Sequence, residues 1–284
     1  MSSFRNKHII EEKKRQYLMN RRIPFMNYKI IPYKKTSFPI KMCICIHCYN
    51  IDIFNELMYY VRNFFEFDWQ RLKIIVHHVH QDFNKIKLII ERLCNISLEN
   101  DNIFTFIKGD NIGGDIGGFI RCCEYINDDD IVSIIHTKSD KIWRRQMMNI
   151  FTKEGIYTSM NLFQRKKEIG IIGSSFNISQ FNRLLNFKND IKFVKSACEI
   201  FNYQYNKNKA FNILFLGGTI FMSRKNLLNF FIKNRTRYYK LLLNYDVLYS
   251  KGLKRPIGND YEHAAERLFG YLCAMNNKKL VGIY

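Results

Sequence analysis

NIFTFIKGDNIGGDIGGFIRCCEYINDDDIVSIIHTKSD, residues 102–140, decides the fold. Its opening, NIFTFIKG (102–109), is a short apolar strand pattern, GGFIRCCEYI (117–126) spaces its apolar residues as a helix does, and DIVSIIHTK (130–138) reads as a buried strand. A helix between two strands in so short a run is a βαβ unit, whose strands lie parallel in one sheet. The same alternation extends outward on both sides. Upstream, IKMCICIHCY (40–49) and LKIIVHHV (72–79) read as strands, and DIFNELMYYVRNFF (52–65) and FNKIKLIIERLC (83–94) as helices. Downstream come helical KIWRRQMMNIFTKEGIYTSM (141–160), the strand EIGIIGSS (168–175) and helix-like IKFVKSACEIFNYQ (191–204). ILFLGGTIFMSRK (213–225) reads as strand, double-glycine turn and strand, and NDYEHAAERLFGYLCAMNN (259–277) as a helix capped by Asn259 or Asp260.

The expected fold is therefore α/β, a mostly parallel central sheet flanked by helices. Ligands of such sheets meet the loops at the carboxyl ends of the strands. The polar and glycine-rich segments fall there: HCYN (47–50), GDNIGGDIGG (109–118) and HTKSD (136–140). In NIGGDIGG (111–118) the glycines let backbone amides approach a ligand at a helix N-terminus, where anions are favoured. Their spacing is neither that of a dinucleotide fingerprint nor that of a P-loop, and the plain structural reading is a tight turn capped by Asp115. HTKSD delivers His136 and Lys138 from the end of a hydrophobic strand, and a lysine there can neutralise a diphosphate as a point charge. LGGTIFMSRK (216–225) places Gly217 and Gly218 where a strand bends, either a bulge or a site of close ligand approach. In DYEHAAERL (260–268), Glu262 and Glu266 share one helix face and His263 and Arg267 the next, so a carboxylate there is a candidate general base.

Composition narrows the class. The chain of 284 residues carries a formal charge of +20, unevenly spread. Residues 1–41 hold 11 Lys and Arg against 2 acids and residues 183–255 hold 15 against 3, whereas residues 42–182 hold 16 against 17. A reader of nucleic-acid grooves would carry its charge on the patterned part, so nucleic acid is disfavoured as a partner. The competing reading stacks bases on Phe4, Tyr17, Phe25, Tyr28 and Tyr33 of the basic segment. Three of four prolines, Pro24, Pro32 and Pro39, lie in residues 1–39, which read as a basic N-terminal arm before a domain spanning 40–284. The eight cysteines are scattered and no signal peptide is read, so reduced thiols in a cytoplasmic setting are expected. Cys43 and Cys45 alternate in MCICIH and share a strand face, which favours buried thiols over a zinc cluster with Cys48. In VHHVH (76–80) a polar strand end is favoured over a metal site. No apolar run reaches the roughly 18–20 residues of a membrane span.

Together, ICIHCYNIDIFNELMYYV (44–61), NIGGDIGGFI (111–120), IIHTKSDKIWR (134–144), GIIGSS (170–175), LGGTIFMSR (216–224) and EHAAERLFG (262–270) resemble the rhamnan synthesis protein F family. The resemblance covers roughly residues 40–284. It implies a GT-A-like, Rossmann-related fold and transfer of a sugar, often rhamnose, from a nucleotide-diphosphate donor to a glycan or lipid-linked acceptor. Asn111, Gly114, Asp115, His136, Lys138, Gly217, Gly218 and Arg267 would then line the donor site, and Glu262, His263 and Glu266 would supply the catalytic group. The Asp-x-Asp pair of many GT-A enzymes is absent from the fourth strand. Asp115 and His136 remain as metal candidates, with a Mn or Mg ion and a metal-independent mechanism both open. The basic segments suggest peripheral contact with an anionic membrane, and an inactive scaffold is the remaining alternative.

Overall fold

The computed structural model describes residues 26–99, 102–180, 187–211, 213–250 and 261–284. Its centre is an eight-stranded sheet in the order β1-β10-β6-β9-β5-β2-β3-β4. These strands are β1 (Asn27–Tyr28), β2 (Ser37–Cys48), β3 (Asp68–His78), β4 (Phe104–Lys108), β5 (Ile131–His136), β6 (Ile169–Ser174), β9 (Phe221–Arg224) and β10 (Lys279–Ile283). Every neighbouring pair is parallel except those of β9, which runs antiparallel to both β5 and β6. A small antiparallel pair, β7 (Ile178–Gln180) and β8 (Leu214–Leu216), stands apart.

Alternation along β2 divides the core in two. Met42, Ile44, Ile46 and Cys48 pack on one face with Phe54, Leu57, Met58 and Val61 of α1 (Ile51–Val61). Cys43 and Cys45 pack on the other with α3 (Gly114–Cys122), α8 (Asn229–Ser250) and α9 (Tyr261–Met275). All eight cysteines are free thiols. Burial of each large apolar side chain is worth about 1.5–3 kcal/mol, so both sheet faces are strongly specified.

Four helices begin where side chains cap them. Asn50 Oδ1 accepts from the amides of Asp52 and Ile53 at the start of α1, and Asp82 accepts from Lys85 N at the start of α2 (Phe83–Cys94). Asp140 caps α4 (Lys141–Met148) and Thr152 caps α5 (Lys153–Arg165). Helices α6 (Phe187–Ile200) and α7 (Lys207–Phe211) complete the set up to α8.

The segment ILFLGGTIFMSRK is strand, turn and strand, with Leu214–Leu216 paired to β7 and Phe221–Arg224 inserted into the main sheet. Two sequence expectations change. Residues 26–39 are not a detached lead-in. β1 extends the sheet beside β10, β2 starts at Ser37, and Phe38 is 2% exposed against Phe67 and Trp69. Tyr33 packs edge-on against Phe67 and Tyr28 lies beneath the Lys166 ammonium, which occupies the rings proposed to stack bases. Phe4, Tyr17, Phe25 and the cap residues Asn259 and Asp260 lie outside the described residues.

The amino edge of the sheet is closed by charge. Asp128 pairs with Lys41 and Arg71, and Asp129, whose side chain is fully buried, pairs with Arg71 at 2.7 Å and Lys73 at 2.9 Å. Asp130 accepts from the Lys41 amide.

Candidate active site

The carboxyl edge of the sheet is different. Strands β3, β2 and β5 are adjacent, and their register aligns His77 with His47 and His47 with His136, one row of imidazoles. His47 Nδ1 lies 2.8 Å from His77 Nδ1, and His47 Nε2 lies 3.1 Å from Asn111 Oδ1. Glycines make the room. A Cβ on Gly118 would stand 2.4 Å from the His47 ring, and one on Gly109 would stand 2.4 Å from His77 Nε2. Burial lowers His47 to about 4, with the charge of His136 adding to it against the Asn111 hydrogen bond. Burial lowers His77 to about 3, helped by His47.

Asp115 stands in the first turn of α3, whose N-cap is Gly113 at φ +69, with no side-chain cap. The cap expected of Asp115 is thus supplied by glycine backbone, which frees the carboxylate. Asp115 Oδ2 lies 3.4 Å from His136 Nε2, which also donates to the carbonyl of Gly218 at 2.6 Å. Burial pushes the Asp115 acid upward, but His136, Lys138, the Thr219 hydroxyl and His47 together outweigh it and hold the group below its ordinary value. It is therefore an anion at neutral pH.

Lys138 leaves β5 and places its Nζ 4.4 Å from the centre of the Trp143 ring. Its loop is pinned from below. The buried Arg144 guanidinium donates to the carbonyls of Lys138 and Ser139 and pairs with Glu56 at 2.6 Å.

Gly218 and Thr219 carry φ +95 and +51 in succession. A β-branched residue in the left-handed region costs about 1–3 kcal/mol, and Thr219 is fully buried there. Glu266 holds this turn, accepting from the Gly218 amide at 3.2 Å and the Thr219 hydroxyl at 3.5 Å. It also pairs with Arg267, whose guanidinium lies over the Phe215 ring. Arg267 is 7% exposed. A Cβ on Gly218 would stand 2.6 Å from Met147 Sδ, whereas one on Gly217 would meet the Trp143 edge at 3.4 Å, close to ordinary contact.

Glu262 stands in the first turn of α9 with His263 beside it, and its Oε2 lies 3.6 Å from where a Cβ on Gly114 would be. The chain thus brings Asn111, Gly114, Asp115, His136, Gly218, Glu262 and Glu266 to one corner from four segments. Arg267 is turned into the packing beside Glu266. Among the described residues no three His, Cys, Asp or Glu side chains are grouped to hold a metal ion.

A model of rhamnan synthesis protein F matches residues 4–278. The chain belongs to that family. The match takes in most of the basic N-terminal segment, which the motif resemblance had left out. No curated protein matches the chain. Among solved structures it is similar to a mannosyltransferase of Pyrobaculum calidifontis in complex with GDP-Man and Mn2+, at 10% identity and a TM-score of 0.41. That likeness covers 96% of this chain and 61% of the archaeal one, so the family member here spans less than two thirds of its length. It is also similar to the mannosyltransferase Ktr4p of S. cerevisiae in complex with GDP, at 11% identity, a TM-score of 0.43, and coverage of 96% and 78%.

Sequence reasoning missed His47, His77 and Thr219. The first lay in a segment already placed at a strand end, but only the register of two parallel pairs shows that three histidines form a row. Nothing local marks Thr219, because its left-handed backbone follows from how β9 enters the sheet.

Proposed function

We infer that this member of the rhamnan synthesis protein F family is a glycosyltransferase of polysaccharide assembly, and we propose that it takes its sugar from a nucleotide-diphosphate donor bound at the carboxyl edge of the sheet in a GT-A-like arrangement. The observation that carries this is the convergence of an anionic Asp115 with His136, Lys138 and Glu262 around the glycine turn of α3. In this reading His136 and Lys138 face the donor diphosphate and Asp115 the sugar and ribose hydroxyls, with Asn111, Gly114, Gly217 and Gly218 lining the pocket.

Glu262 takes the proton of the acceptor hydroxyl, the acceptor oxygen bonds to the anomeric carbon, and the bond from that carbon to the diphosphate breaks. The nucleoside diphosphate leaves with the electron pair, and Lys138 offsets its charge. Glu266 holds the Gly218–Thr219 turn, which leaves Glu262 as the favoured base with His263 beside it. Asp115 is the residue that would hold a Mn or Mg ion here, since His136 Nε2 already serves Gly218, and such an ion would help offset the phosphate charge.

The acceptor is a glycan or a lipid-linked glycan, and rhamnose is the sugar the family name favours. Lys233, Arg237 and Lys240 are exposed on α8, and they support peripheral docking on an anionic membrane. Among the described residues no helix is long and apolar enough to cross one. Flotation with liposomes should rise with anionic lipid content, and flotation independent of it overturns the docking.

A thermal-shift panel of nucleoside diphosphates and nucleotide sugars, with and without manganese, tests the donor reading. At least one nucleotide sugar should raise the melting temperature. No shift from any of them, at concentrations that saturate ordinary donor sites, contradicts it.

A further inference from the structure

We propose that the His47–His77 pair is a positioning device that, locked in its neutral form, fixes the Asn111 amide with its Nδ2 donors toward the donor. The proposal rests on the donor reading above. Proton bookkeeping carries it. A carboxamide oxygen only accepts, so His47 Nε2 bears the proton in its 3.1 Å contact with Asn111 Oδ1. A neutral His47 then has a bare Nδ1, and the 2.8 Å contact requires His77 to donate from its own Nδ1. His77 Nε2 is left bare, and it is a buried atom with no hydrogen-bond partner among the described residues. A further proton has no good place. On His47 Nδ1 it would meet the His77 Nδ1 proton, and on His77 Nε2 it would put charge on an unpartnered buried nitrogen against Gly109.

The surrounding charges do not reverse this. His136 on β5 and His80 beyond β3 oppose a cation on His47 while Asp115 on α3 favours one, and Arg121 on α3 and His78 oppose one on His77 while Asp110 favours it. With Asn111 Oδ1 held inward and the residue exposed, its two N–H donors are the part presented outward. Because Asn111 O accepts from the Gly114 amide at 3.1 Å, the same residue also sets the turn that carries Asp115.

Nitrogen NMR of histidine-labelled protein reads the tautomers without any donor. The expected pattern is His47 protonated at Nε2 and His77 at Nδ1, both neutral down to about pH 5. Titration of either ring near 6.5, or the opposite tautomer pair, overturns the lock. Affinity for nucleoside diphosphate then reads the positioning. His77→Phe should weaken binding about tenfold, the scale of one misdirected hydrogen bond, and less than twofold when Asn111→Ala is already present. His77→Asn, which keeps a donor near the Nδ1 position, should restore most of the affinity and the Asn111 side-chain amide shifts. Equal losses in both backgrounds, or no rescue by a folded His77→Asn, overturns the proposal. Wild-type protein that binds no nucleoside diphosphate but has the expected tautomers would instead refute the donor reading and leave the lock established.

Discussion

The two edges of one sheet are built on opposite terms. At the amino edge, Asp128 and Asp129 meet Lys41, Arg71 and Lys73 in a mutually paired ion network, and the charges are spent on one another. At the carboxyl edge a carboxylate, three aligned imidazoles and a lysine converge, and a threonine is held in the left-handed region. Pairing of the first kind fixes the fold. Convergence with strain is the condition in which side chains are kept for a ligand, because a fold selected for stability alone would relieve it.

Mutation should separate the edges by what each loses. The largest effect is expected at the amino edge: Asp129→Asn leaves Arg71 and Lys73 facing a neutral group and should cost about 3 kcal/mol of stability in chemical denaturation. Donor affinity of the folded fraction should not change. A variant that keeps its stability but loses transfer would erase the distinction between the edges. At the carboxyl edge, Glu262→Gln keeps shape and removes basicity, so turnover should fall about a hundredfold with donor affinity unchanged. Full activity in that variant beside loss in Glu266→Gln would exchange the two roles within α9. Lys138→Ala is the smallest expected change, about tenfold weaker binding of nucleoside diphosphate with nucleoside binding nearly untouched. Equal weakening of both ligands would remove Lys138 from the diphosphate.

Many of the elements and the carboxyl edge are legible in the sequence. FNKIKLIIERLC is a helix over the same residues in sequence and structure, because its apolar period and its Asp82 cap are local properties. Cys43 and Cys45 fall on one face for the reason their alternation gives. The turn of Asp115 and the strand end of His136 were found because glycine and polar residues stand out at the ends of apolar runs. What sequence reading lost depends on distant partners. Phe221–Arg224 became part of the main sheet by inserting antiparallel between β5 and β6, and β1 became an edge strand by meeting β10 more than two hundred residues away. His47 and His77 acquire meaning only when their strands are set side by side. The DDD run before β5, Asp128–Asp130, lies at the opposite edge from the site, where it closes the sheet.

In the proposed function the carboxyl edge binds and uses a sugar donor through Asp115. Transfer by Asp115→Ala, measured beside its melting curve with the nucleotide sugar that stabilises wild type, tests it most directly. The account predicts a fall in turnover on the order of a hundredfold or more, the scale of removing one preorganised charged group, with the melting temperature of the free protein little changed. Wild-type turnover in a stably folded Asp115→Ala would contradict it.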